Sequence, residues 1–442
     1  MTMVPLEEGV DHARPESRRP RRADRRLGVL LSEASSLSAR HTLYVLGPRY
    51  RLGVLDPARL CQGRFSRYVG QWHRSPSFSR QPIAYVQFLI EQIRRHHYDV
   101  IFPTHEQVYL LSRFRHLLEP FAGLAVPEFD SLRQMQHKGH FTRLLRQLDL
   151  PHPATVIVRS SLALQAHDDY PCWVKLAHGT AGGGVWHIRG PSEMRELAAR
   201  LEAAEAFEHG DEVIVQRPAE GVQATVQAVF QRGRMVGMHS VEATAIGIGG
   251  SAMSRVGAWH PGVEEHVRRL GAHLDWHGAF FLDYFYNPVT RDLQYIECNP
   301  RIGETFNAML SGVNLCDLLV QVALGETVEP AAPTRPGVRT HMGYMILLAN
   351  ALAGAGRRQL MAEWLRLRAG RGAYAGSHDE LTRPRDDWGS LIPSWGILVQ
   401  LMFQPQAAQR IVGGTVENYS LPSVAARLIE QLDDETILAG VG

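Results

Sequence analysis

Residues 280–301 read FFLDYFYNPVTRDLQYIECNPR, two apolar runs either side of an Asn-Pro turn. That pattern dictates a β-hairpin. Strand side chains alternate between faces, so Glu297, Asn299 and Arg301 share one. With the turn centred near Thr290, Asp283 falls opposite Glu297 and Phe281 opposite Asn299. Cross-strand partners hold their Cβ atoms roughly 4.5–5.5 Å apart. Two carboxylates at that distance, among aromatic neighbours, cost several kcal/mol to bury unpaired. Either one of them is protonated or a cation lies between them. A hard divalent ion such as Mg²⁺ takes carboxylate, phosphate and water oxygens, and the Asn299 amide oxygen adds a further ligand on that face. Arg301, one step on, points where phosphate would lie. A solvated hairpin with scattered polar residues is the alternative.

Upstream, PCWVKLAHGTAGGGVWHI (171–188) reads as strand, Gly-rich turn and returning strand, with Lys175 on the first strand. Gly182, Gly183 and Gly184 provide a backbone able to approach phosphate oxygens and to close as a lid. The segment lacks the GxxxxGK[ST] spacing and precedes no helix, so it is not a P-loop. The apolar spacing over 131–148 predicts one helix, with Lys138 close to its apolar stripe, either snorkelling or reaching a ligand.

Strand–helix alternation from residue 27 to 128 predicts a small open parallel α/β domain, with strands near 27–32, 51–55 and 98–104 and helices at 36–46, 82–97 and 106–118. Residues 129–330 alternate differently and predict an antiparallel α+β unit in two subdomains, 129–209 and 210–330. AIGIGGSAMSRVG (245–257) reads as a second Gly-rich loop. Beyond the linker-like PAAPTRPG, residues 331–442 carry helix patterns at 340–353, 356–368, 393–404 and 420–433 and no motif with chemistry.

The formal net charge of +2 is misleading, because residues 14–26 alone carry seven Arg against one Glu and one Asp, leaving −3 for the rest. A basic leader over 1–26 has nothing to bury and is expected to be disordered. Nucleic-acid binding is not expected, since a binder places its basic patch on the folded part. Four widely spaced cysteines form neither a disulfide framework nor a metal pattern. HE at 105–106 lacks the second His of a zinc protease, and no apolar run is long enough for a membrane span. A cytoplasmic protein without a membrane segment is expected.

Asp283 followed by Glu297, Asn299 and Arg301 in IECNPR, preceded by Lys138 in QHK, Lys175 in VKLAHGTAGGGV and the strand VIVQRPAEG, resembles the ATP-grasp superfamily, and within it carboxylate–amine ligases of the L-amino-acid-ligase type. The likeness runs from about residue 27 to 330. It implies an ATP-grasp fold: an N-terminal parallel α/β domain, central and ATP-binding antiparallel subdomains, and here a mainly helical C-terminal extension. It implies ATP with one or two Mg²⁺ ions, Mn²⁺ being a substitute, held by Asp283, Glu297 and Asn299. Lys138, Lys175 and the Gly182–Gly184 flap would meet the phosphates, and Gln216, Arg217 and Pro218 would border the base. Arg301 and Lys175 would serve catalysis. Arg255, Arg301 and Gly303 are candidate substrate contacts, although Arg255 reads equally well as a surface arginine. Two departures stand out: GVQATV (221–226) has Gln223 and no acid where relatives hold the ribose, and His137 stands where an Asp usually precedes the helix lysine.

The implied reaction is phosphorylation of a small carboxylic acid by ATP, then displacement of phosphate by an amine to form an amide. A homodimer is compatible with the resemblance. A bicarbonate-activating enzyme is an alternative, and a non-catalytic nucleotide-binding protein another.

Overall fold

The computed structural model describes residues 26–179, 182–208, 211–247, 250–380, 386–408, 416 and 418–440. The basic leader, apart from Arg26, lies outside them. Three sheets organise the chain. The first is parallel, in the order β3-β2-β1-β4-β5, from Gly28–Leu31 (β1), Arg51–Asp56 (β2), Val69–Arg74 (β3), Val100–Phe102 (β4) and Gly123–Leu124 (β5). Strand β1 is GVLL and wholly buried, as a central strand covered on both faces must be. Strand β3 is the one the sequence pattern hides: it is an edge strand whose residues Gly70 and Gln71 are exposed, so it lacks an apolar run. Helices Leu37–Leu46 and Pro82–His96 flank this sheet; the first begins on Ser36, whose hydroxyl accepts from the Ala39 amide at 3.0 Å, and the second opens on a proline.

The second sheet is antiparallel, order β6-β9-β7-β8, from Thr155–Val158 (β6), Cys172–Leu176 (β7), Val185–Ile188 (β8) and Val213–Gln216 (β9). The third has seven strands, Val222–Gln231 (β10), Arg234–Ile246 (β11), Ala252–Gly257 (β12), Gly278–Tyr286 (β13), Leu293–Asn299 (β14), Arg339–His341 (β15) and Ser377–Asp379 (β16), in the order β14-β13-β10-β11-β12-β15-β16. All of its pairings are antiparallel except β15 with β16.

Several expectations need correction. The single helix over 131–148 is two, Phe129–Gln136 and Lys138–Gln147, broken at His137. The break is tertiary in origin: the Lys138 amide donates to the Ala177 carbonyl at 3.1 Å, and the His137 ring caps the second helix by accepting from the His140 amide at 3.2 Å. The helix over 106–118 is likewise two short ones, Gln107–Arg113 and Arg115–Leu118. Residues 245–257 are not one loop, because β11 runs to Ile246 and β12 starts at Ala252, which puts Arg255 on a strand. The C-terminal region is helical at Gly343–Leu352, Arg357–Ala369, Leu391–Phe403 and Ser423–Gln431, yet it also supplies β15 and β16 to the large sheet. Among the described residues no helix is long and apolar enough to cross a membrane.

Candidate functional site

The β13–β14 hairpin pairs Phe281 with Asn299 and Asp283 with Glu297, the register expected from the alternation. Beyond Asp283 an irregularity shifts it, so that Tyr284 faces Tyr295. On the other side Asp283 faces Thr225 of β10, whose hydroxyl donates to Asp283 Oδ1 at 2.7 Å. Burial, reinforced by the Glu297 charge, pushes the Asp283 carboxyl up to about 7. Glu297 goes the other way. Burial alone would raise it, but Lys138 and Lys175 overcome that and hold it below the usual carboxylate range.

Lys138 Nζ lies 3.0 Å from Glu297 Oε1, delivered there because the helix break makes Lys138 the first residue of its helix. Lys175, on β7, is buried and bonds Gln216 Oε1 of β9 at 2.8 Å. Burial brings its ammonium down to about 8 despite the opposing pull of Glu297. Two lysines from different elements thus converge on one carboxylate of the pair.

Arg301 is buried, with its Nε 3.1 Å from Glu106 Oε1 and its guanidinium carbon 5.1 Å from the Phe281 ring centre. Glu106 follows β4 in the parallel sheet and also accepts from Gln136 Nε2 at 2.9 Å. Arg301 Nη2 donates to Asn299 Oδ1 at 3.3 Å, while Asn299 Nδ2 lies 3.5 Å from Asp283 Oδ2. Asn299 therefore turns its nitrogen toward Asp283 and its oxygen toward Arg301; a half-turn of the amide exchanges them.

These groups, Glu106 and Gln136 apart, line one cavity of about 640 Å³. Its lining includes Trp173, Gln216, Arg217, Pro218, Phe285 and Ile296, the charged and amide groups Lys138, Lys175, Asp283, Glu297, Asn299 and Arg301, and the glycines Gly182 and Gly183. Gln216 is fixed by Thr155, whose hydroxyl accepts from its Nε2 at 3.1 Å, whereas Arg217 pairs with Asp169 at 2.7 Å on the surface. Gly184 takes φ +76°, and its carbonyl accepts from the Leu176 amide at 2.8 Å. Gly303 lies outside the lining; its amide donates to Gln227 Oε1 at 3.1 Å. Arg255 is not a surface residue but is buried in the cavity lining.

Sequence reasoning missed Glu106, dismissed with the HE pair, and Thr225, whose exposure of a hydroxyl to Asp283 follows only from the β10–β13 register. It also missed the cavity wall contributed by residues after 330. Nothing in their spacing announces it.

Among the described residues no three His, Cys, Asp or Glu side chains are arranged to hold a metal. Asp283, Glu297 and the Asn299 amide form an all-oxygen set with too few donors to enclose an ion. That set fits a magnesium ion arriving with phosphate oxygens and water as its remaining ligands. The raised Asp283 carboxyl supports the fit, since burial and the Glu297 charge outweigh the pull of Arg301 and a cation there would offset both.

No protein-family model matches the chain. The carbamoyl phosphate synthase large chain of Rubrobacter xylanophilus is 24% identical over 217 residues, covering 45% of this chain and 20% of that one. The chain thus spans about a fifth of the length of that curated relative. Among solved structures, the biotin carboxylase of Campylobacter jejuni in a β,γ-ATP complex superposes with a TM-score of 0.57 at 14% identity, covering 71% of this chain and 74% of that one. The L-amino acid ligase of Bacillus licheniformis superposes at 0.55 and 14% identity, covering 71% and 79%. The chain shares the ATP-grasp fold with these two structures.

Proposed function

We propose that the protein is an ATP-dependent carboxylate–amine ligase working through an acyl phosphate. The observation that carries this reading is the Asp283–Glu297 pair flanked by Lys138, Lys175 and Arg301 in one cavity. Phosphoryl transfer asks a protein for alignment and charge neutralisation rather than for a nucleophile of its own, and this set supplies both.

A substrate carboxylate oxygen attacks the γ-phosphorus; the bond from that phosphorus to the β–γ bridging oxygen breaks, and ADP leaves with the electron pair. An amine nitrogen then attacks the acyl carbon, phosphate departs, and the nitrogen gives up a proton to leave an amide. Lys138 and Lys175 neutralise the phosphate chain. Bound at Asp283, Glu297 and Asn299, Mg²⁺, or Mn²⁺ in its place, would neutralise charge on the β- and γ-phosphates. Arg301 offers its planar fork to the transferred phosphoryl group, held in direction by Glu106. The Gly182–Gly184 segment shields the acyl phosphate from water. Gln216, Arg217 and Pro218 border the adenine.

The test is ADP and phosphate release across a panel of carboxylic acids paired with amines, bicarbonate included among the acids. Release that requires both an acid and an amine supports a ligase. Release with bicarbonate alone supports the carboxylating alternative, and none with any combination contradicts both.

A further inference from the structure

Helix Leu391–Phe403 is apolar on two sides. Its inner side is in use: Leu401 belongs to a small core with Leu348, Ala351 and Leu360, and Ile397 packs on that core and also lines the cavity. Its outer side is not. Ile392, Trp395, Val399 and Phe403 follow one another at steps of three, four and four, and Trp388 stands just before the helix. That spacing puts the four on one stripe. All five residues are between 50% and 68% exposed. Three aromatic side chains open to that degree amount to roughly 300–500 Å², before Ile392 and Val399 are added. An apolar patch of this size on a folded protein marks an interface.

The stripe itself carries no charge. From Trp388 to Gln409 the sequence holds no Asp, Glu, Lys or Arg. Arginines flank it at both ends. At the Phe403 end, Arg357 donates to the Phe403 carbonyl at 2.6 Å. At the Trp388 end sits the loop 62–67 of the parallel α/β domain. Gln62 Nε2 lies 3.5 Å from Ser394 Oγ, the Ser66 hydroxyl and Arg67 amide donate to Asp387 at 2.5 and 2.9 Å, and a Cβ on Gly389 would strike the Phe65 carbonyl. That loop carries Arg64 and Arg67, both exposed. Arg64 lies over the Trp72 ring at 4.2 Å and Arg67 over the Tyr68 ring at 5.1 Å; among the described residues no acid pairs with them or with Arg357. The two acids beside Trp388 are taken up within the chain: Asp387 is buried, and Asp386 accepts from the Tyr44 hydroxyl at 2.8 Å.

This charge pattern selects the occupant. A second copy docked stripe to stripe would bring arginine onto arginine at both ends, whichever way the two helices ran, and like charges across an interface oppose binding. A folded protein partner is read by about one hydrogen bond per 100–200 Å². The five side chains offer only two indole N–H groups for that purpose. An anionic bilayer needs no such bonds: it takes an apolar helix face and cationic flanks, and tryptophan suits the boundary between head groups and acyl chains.

We infer that the Trp388–Phe403 face is a docking surface for an anionic lipid bilayer. The five apolar side chains enter the head-group boundary, and Arg64, Arg67 and Arg357 meet lipid phosphates. The helix lies on the membrane and does not cross it, being too short to span. The inference does not depend on the ligase reading. Because Ile397 lines the cavity from the other side of the same helix, the docked face and the cavity stand only about one helix diameter, ~10 Å, apart.

Co-sedimentation of the full chain with vesicles of phosphatidylglycerol and with vesicles of phosphatidylcholine tests it. Binding to phosphatidylglycerol is expected to be about tenfold or more tighter, and the preference should vanish near ~1 M salt, where charges are screened beyond ~3 Å. Trp388→Gln combined with Trp395→Gln should weaken binding by about tenfold or more, while the melting temperature and the affinity for ADP with Mg²⁺ stay as they are. This double variant is the deciding arm, because residues 14–26 add seven arginines that could hold an anionic vesicle without the stripe. If it binds phosphatidylglycerol as the unmodified protein does, the leader is responsible and the inference falls. Equal binding to both lipids overturns it. So does binding to neither, which returns the face to a protein partner, or to a second copy if the same two substitutions dissolve a dimer.

Discussion

Arg301, just after β14, and Glu106, on the connection after β4, meet at 3.1 Å with both side chains buried. A buried pair of this kind is costly to break from one side, because the survivor keeps its charge without its partner. The pair also sets the direction in which the guanidinium faces the cavity.

Arg301→Met is therefore expected to destabilise the protein by about 3–5 kcal/mol, and the double variant with Glu106→Met by less than the sum of the two singles. Denaturant unfolding of the four proteins checks this; strict additivity would mean that the contact carries no coupling. Glu106→Gln, which preserves shape, should lower kcat by about tenfold to a hundredfold through misplacement of Arg301, with the KM for ATP little changed.

Asp56, at the end of β2, holds the β1–helix connection by accepting from the Ala34 and Ala58 amides and the Ser35 hydroxyl, at 3.0, 2.8 and 2.8 Å. Burial, with Glu33 adding to it, raises its carboxyl from 3.8 to about 7. A group whose folded value exceeds its unfolded one contributes stability that is fully present below the unfolded value and is lost as pH rises through the folded one. The melting temperature relative to Asp56→Asn should thus fall as pH rises from about 4 to about 7.5. A difference that stays constant, or grows, over that window contradicts the assignment.

Lys175→Met removes the hydrogen bond to Gln216 and one of the two lysine cations beside Glu297. Nucleotide affinity should drop by about tenfold or more, since charge-assisted contacts to phosphate are the strong ones. Lys138→Met should act in the same direction. Unchanged affinity for ADP in both variants would take the lysines out of the phosphate site.

The hairpin was legible because a period of two is rigid: once Asp283 and Glu297 are paired, Phe281 and Asn299 must be as well. The irregularity after Asp283 was not, because no glycine or proline marks it. Lys175 and Gln216 were each legible on a strand, but that β7 and β9 are neighbours was not, since nothing in either run names its partner. The break at His137 was hidden, since the apolar spacing runs through it and a histidine cap is a weak local signal; the carbonyl of Ala177 that takes the Lys138 amide is distant in sequence. Arg255 was misplaced because GIGG reads as loop, while the strands on either side run closer to it than composition suggests. Met345, Leu348 and Ile397, which line the cavity, belong to helices whose apolar residues also serve a small core, a division that tertiary packing alone decides.

The central claim is that the Asp283–Glu297 pair receives a magnesium-bearing nucleotide. Titration of ADP into the protein with Mg²⁺ and with EDTA, repeated on Glu297→Gln, tests it most directly. The account predicts that ADP binds about tenfold to a hundredfold more tightly with Mg²⁺ and that Glu297→Gln abolishes most of this gain. Equal affinity in EDTA, or a full magnesium effect in the Glu297→Gln protein, would contradict it.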